Sequence, residues 1–200
     1  MNKSRFEGFS DGVFAFAITL LILGIALPEA QYKSDRELTA ALLRLWPNVL
    51  AYGLSFAVIG IMWQNHHALF RLVGRIDRKT VLYNLWLLAG TAFIPFATST
   101  LGSNPTMHAS TLLYGLVLSF CATAFNGMLA HLVRSSAFSS GVSDAVVQTV
   151  RSYRFAWGTY VCATLLALVA PVVSFASYIA LALFFLIPRG VDADLRAAND

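Results

Sequence analysis

The sequence predicts an all-α integral membrane protein with six transmembrane helices. Composition is the first reason: 58% of the 200 residues are hydrophobic and 12% are charged, with a mean hydropathy of +0.67. Apolar runs of membrane-crossing length recur along the whole chain and leave no room for a soluble domain, so residues 1–200 read as a single membrane domain. The basic residues alternate between the two sides of those runs, as topology signals do.

Apolar runs punctuated by polar, Gly or Pro residues fall at 7–27, 46–70, 80–101, 108–133, 151–170 and 172–188. The first has no ionisable residue from 12 to 27, and it is too long for a signal-peptide core and lacks a small-x-small cleavage site ahead of Pro28. Between the first two runs, Glu29, Lys33, Asp35, Arg36 and Glu37 mix with Leu38, Leu42 and Leu45. That spacing fits a short surface helix, and the composition fits a solvated connector equally well. Residues 135–141 are rich in serine and read as a flexible linker, after which Ser143 and Asp144 are placed to cap the run into the fifth helix. The last two runs are divided only by Pro171. Together they far exceed one bilayer crossing, so a tight turn is expected there.

Eleven of the fourteen basic residues lie at the amino terminus, in the second and fourth loops and in the carboxyl tail; Lys33, Arg36 and Arg44 lie on the other side. The positive-inside rule then puts both termini in the cytoplasm of a cell whose membrane the chain crosses repeatedly. The net charge of +4 is thereby a topology signal, and nucleic-acid binding is excluded. Cys121 and Cys162 sit inside apolar runs, where a thiol behaves as a small hydrophobe.

Two faces emerge when the first helix is laid out at about 100° per residue. Phe9, Val13, Phe16, Leu20, Leu23 and Leu27 make an apolar stripe with Thr19 on its flank, and Asp11 points away from it. A carboxylate at that depth is costly without a partner, so Asp11 is expected to be a buried packing partner for a cationic or hydrogen-bonding group on a neighbouring helix. Trp63-Gln64-Asn65-His66-His67 lies at a similar depth on the second span. Adjacent histidines diverge by about 100°, which favours one histidine in a hydrogen-bond network over a shared metal ion and leaves a pH-sensing role open. Neither metal nor cofactor is expected. The chain lacks G-x-S-x-G, H-E-x-x-H and a P-loop, so it is not read as an enzyme, and it lacks a Thr-Val-Gly-Tyr-Gly filter loop. From the residues alone a transporter, a channel and a membrane scaffold all remain.

Arg5, Phe9, Ser10 and Asp11 spell Arg-x-x-x-Phe-Ser-Asp at the head of the first helix, and Ala15-Phe16-Ala17-Ile18-Thr19-Leu20-Leu21-Ile22-Leu23 follows. This pattern resembles the signature of the transmembrane protein 175 family of endolysosomal potassium channels and their bacterial relatives. The resemblance implies a homotetramer in the lipid bilayer, passing potassium ions through a central pore lined by the first helix of each subunit. It also implies a hydrophobic constriction at Phe16, Leu20 and Leu23, flanked by Thr19, and it is similar in its Asn65-His66-His67 patch. Such a ring gates by dewetting, because a narrow apolar throat offers an ion nothing in place of its hydration shell. The family usually has Ile or Leu where Phe16 stands, so either Phe16 or a leucine forms the narrowest point. Arg5, Phe9, Ser10, Asp11, Asn65, His66 and His67 are expected to form the structural network that anchors the lining helix. The main alternative is a proton-coupled transporter relaying through Glu7, Asp11 and His66.

Overall fold

The computed structural model describes residues 2–28, 31–138 and 143–186, with 143–152 described through the backbone alone. Seven α-helices are present among these residues: α1 (Lys3–Leu20), α2 (Asp35–Arg44), α3 (Trp46–Leu72), α4 (Arg78–Ser103), α5 (His108–Arg134), α6 (Ser143–Leu166) and α7 (Pro171–Leu186). A 3-10 turn over Leu21–Gly24 extends α1. Counting that turn, α1, α3, α4 and α5 are each long and apolar enough to cross a membrane, and the described part of α7 is an apolar helix of 16 residues. Among the described residues, length and composition thus mark four candidate spans where the sequence predicts six.

Local chemistry sets the ends of these helices. Asn2 caps α1 by accepting from the Ser4 N–H, and Ser34 caps α2 by accepting from the Glu37 N–H at 3.3 Å. The Glu37 carboxylate reaches back to the Lys33 N–H at 2.8 Å, so two otherwise orphaned donors are satisfied at the start of α2. No residue of α2 is buried, which makes the segment a surface helix rather than a bare connector. Pro171 opens α7, where its missing N–H costs nothing.

Helix α4 is the centre of the packing, with α1, α3 and α5 against it; α6 packs on α5, and α7 on α3, α5 and α6. The seams between them carry hydroxyls as well as apolar side chains. Thr98 donates to Ser55 at 2.7 Å, and Ser55 shares a 2.9 Å hydrogen bond with Tyr114, joining α4, α3 and α5 deep in the core. Each of these polar groups has a partner, as a membrane interior requires. Gly115 lets Tyr178 and Thr164 lie directly on the α5 backbone, since a Cβ there would collide with both side chains.

The second loop is tied down on the basic-rich side. Asp77 caps α4 by accepting from the Thr80 N–H at 2.8 Å and the Thr80 hydroxyl at 2.7 Å, and it meets His131 Nε2 at 2.8 Å. The Thr80 N–H and hydroxyl, together with His131, hold the Asp77 carboxyl well below the usual carboxylate range. Val73 pairs with Phe138 in an antiparallel bridge, and the Gly74 N–H donates to Ala137 O. Residues 135–138 are thus structured where a flexible linker was expected; residues 139–142 and the basic tail with Arg189 and Arg196 lie outside the described residues.

Candidate functional site

Helix α1 turns one face inward. Phe6, Ser10, Phe14, Ala17 and Leu21 follow one another at three- and four-residue steps, and all five are buried against α3 and α4. Ser10 is the polar member of that row. Its hydroxyl donates to Phe6 O at 3.0 Å and accepts from Asn84 Nδ2 at 2.9 Å, while Asn84 Oδ1 lies 2.9 Å from His66 Nε2. Because that amide oxygen only accepts, the chain runs His66 to Asn84 to Ser10 to Phe6 O, with the proton on Nε2. Phe6, Phe14 and Phe70 surround the imidazole at ring-centroid distances of 6.2, 5.5 and 4.6 Å. The helix is therefore held in rotation by an oriented hydrogen-bond chain inside an aromatic cage.

Asp11 lies at the edge of that contact. It is half-buried rather than fully buried, and its partner is the Trp63 indole, whose N–H donates to Asp11 Oδ1 at 2.9 Å. Exposed His67 stacks on Trp63 at 6.0 Å. Asn65 is half-buried, Arg5 and Phe9 are exposed, and among the described residues no hydrogen bond or ion pair joins the Asn65 or Arg5 side chain to another group. Lys3 donates to Val73 O at 2.9 Å and stands 4.0 Å from Glu7. Of the expected network, then, Ser10 and His66 meet through Asn84, Asp11 meets Trp63 with His67 behind it, and Arg5, Phe9 and Asn65 stand apart. Glu7, Asp11 and His66 are not joined by hydrogen bonds among themselves.

The opposite side of α1 is open. Phe9, Phe16 and Leu23 are 57%, 65% and 73% exposed, far beyond what a core position tolerates. Thr19 is also exposed, and its hydroxyl donates to Phe16 O at 2.8 Å. With the proton held by its own helix, Thr19 presents oxygen lone pairs outward, the polarity that a cation favours. Val13 and Leu20 are half-buried at the margin. The stripe does not continue as one α-helical row: the 3-10 turn advances by about 120° per residue, and Leu27 lies beyond the helical segment.

Asn84 escapes sequence reading because it belongs to no motif and lies 74 residues from its partner Ser10. The available signal is a lone amide amid the apolar residues of a membrane span, which marks a required partner by its cost. Among the described residues no three His, Cys, Asp or Glu side chains group to hold a metal ion.

These features define a helical membrane protein whose first helix is locked on one face and open on the other. The chain belongs to the TMEM175 family. The family model, described as the endosomal/lysosomal potassium channel TMEM175, matches residues 5–95. A Streptomyces collinus protein named as a potassium channel is 40% identical over 192 residues, covering 92% of each chain. The crystal structure of a Chamaesiphon minutus homologue, described as a lysosomal potassium-selective channel TMEM175 homolog, is similar with a TM-score of 0.81 and 34% identity, covering 92% of this chain and 95% of that one. The human protein, named as an endosomal/lysosomal proton channel, is 36% identical over 134 residues, 62% of this chain and 27% of its own length. None of these is named as an enzyme.

Proposed function

We propose that the chain is one subunit of a homotetrameric, potassium-permeable cation channel that crosses the cell membrane six times, with both termini cytoplasmic. The observation that carries this reading is the open face of α1, with Phe16 and Leu23 at 65% and 73% exposure on a helix whose other face is fastened. Large apolar side chains are left uncovered in a subunit when something outside the subunit completes their surroundings. Four α1 helices around an axis would set Phe16, Leu20 and Leu23 as stacked apolar rings, with the Thr19 hydroxyl beside them. Ions then pass only when a ring widens enough to admit a partly hydrated cation. Ser10 through Asn84 and His66, and Asp11 through Trp63, fix the rotation of the lining helix and do not touch the ion.

Reconstitution into liposomes under an imposed potassium gradient tests this, with passive potassium flux as the expected result. No flux under that gradient, together with uptake of another solute driven by a proton gradient, would replace the channel with the transporter. The family members named as potassium channels favour the first outcome. Glu7, Asp11 and His66 each pair with other groups and not with one another, so they do not supply the continuous hydrogen-bonded relay that the second would need.

A further inference from the structure

The outward face of α4 carries a second, unrelated pattern. At about 100° per residue, Arg78, Lys79, Leu82, Leu85, Trp86 and Ala89 fall on one side of the helix, within about a third of its circumference. All six are exposed. The two cations head the strip, and neither has an ion pair or hydrogen bond among the described residues. Asp77, the adjacent acid, is committed to Thr80 and His131. From the cations to Ala89 the strip runs for about 15 Å of helix, roughly the depth of one leaflet. It widens onto α5 where Trp86 meets exposed Phe120 edge-on at 5.8 Å.

We propose that this strip is a docking site for an anionic phospholipid, with the headgroup phosphate at Arg78 and Lys79 and an acyl chain running along Leu82, Leu85 and Trp86 and over the small side chain of Ala89. The combination selects the occupant. Free phosphate would use the cations and leave the apolar strip uncovered. A second copy of this chain would have to bring a carboxylate, yet the acidic side chains described at this end already face partners: Glu7 faces Lys3, Asp11 faces Trp63 and Asp77 faces His131. An anionic lipid supplies both the charge and the chain. Basic residues at a membrane surface attract such lipids at about 1 kcal/mol each, so two of them amount to a preference of roughly thirty-fold over a zwitterionic lipid.

This inference does not depend on the channel reading, and lipid retention tests it on the purified full chain. The detergent-solubilised protein is titrated with phosphatidylglycerol or phosphatidylcholine of identical chains, and bound lipid is counted by native mass spectrometry. The expected result is a strong preference for phosphatidylglycerol that falls to near parity in R78Q/K79Q and survives in the control K33Q/R36Q. Quenching of tryptophan fluorescence by brominated phosphatidylglycerol should also lose a component in Trp86→Phe. Equal retention of the two lipids, or an undiminished preference in R78Q/K79Q, would overturn the proposal. So would efficient crosslinking between copies through Leu85→Cys, which would put a second chain on the strip.

Discussion

The two sides of α1 obey opposite rules although they are built from the same residue types. Phe14 and Phe16 stand two positions apart; the first is wholly buried against the His66 cage, the second mostly open. The inner row, from Phe6 to Leu21, is fastened by a polar chain that no simple hydrophobic pattern reveals. The outer row is apolar and unfastened. The difference teaches that in a membrane chain hydrophobicity alone does not mark the core, because lipid, a neighbouring copy and a dry pore all accept apolar surface. What marks the inner face is the satisfied polar group.

The sharpest way to break this contrast is to truncate the same residue on each side. Phe14→Ala should lower unfolding stability by about 3 kcal/mol, as loss of a buried aromatic does, whereas Phe16→Ala should stay within about 0.5 kcal/mol. Thermal unfolding of the purified variants measures both, and equal losses would erase the distinction. Next in size, Asn84→Leu removes both halves of the bridge: it leaves the buried His66 Nε2–H without its acceptor and takes away the donor to Ser10, whose own bond to Phe6 O remains, at a cost of about 2 kcal/mol. Ser10→Ala, which strands only one amide, should cost less.

A smaller effect is expected where the second loop meets α5. Asp77→Ala should lose about 1 kcal/mol for the cap alone. The depressed Asp77 pKa has a defined sign. Its stabilisation is present above the ordinary carboxylate value near 4 and is lost as pH falls below it through the folded value. Melting temperature followed from pH 6 down to pH 3 should therefore decline less in Asp77→Asn than in the unsubstituted chain. Smallest of all, Trp63→Phe should shift stability by under about 1 kcal/mol, because the Asp11 carboxylate is only half-buried and water replaces the indole.

Much of the helical framework was legible in the sequence because membrane spans announce themselves by length and apolarity; α1, α3, α4 and α5 all follow the predicted runs. The stripe on α1 was legible from spacing alone through Phe9, Phe16 and Leu23. It failed at Leu27, since a 100° step does not hold once the chain leaves α-helical geometry at Leu21. The anchor was only half legible. Two adjacent histidines look alike in sequence, and only packing shows that His66 enters the cage while His67 remains outside. Asn84 and the His131 to Asp77 contact depend on which helices become neighbours, and spacing within one helix carries no such information.

Cysteine accessibility along α1 tests the central claim most directly. In a Cys162→Ala background, Phe16→Cys, Leu20→Cys and Leu23→Cys should let a small water-soluble thiol reagent block potassium flux through reconstituted protein. Phe14→Cys and Ala17→Cys, on the fastened face, should be insensitive. Block from the fastened face, or no block from the open one, would contradict the account and place the ion path elsewhere in the molecule.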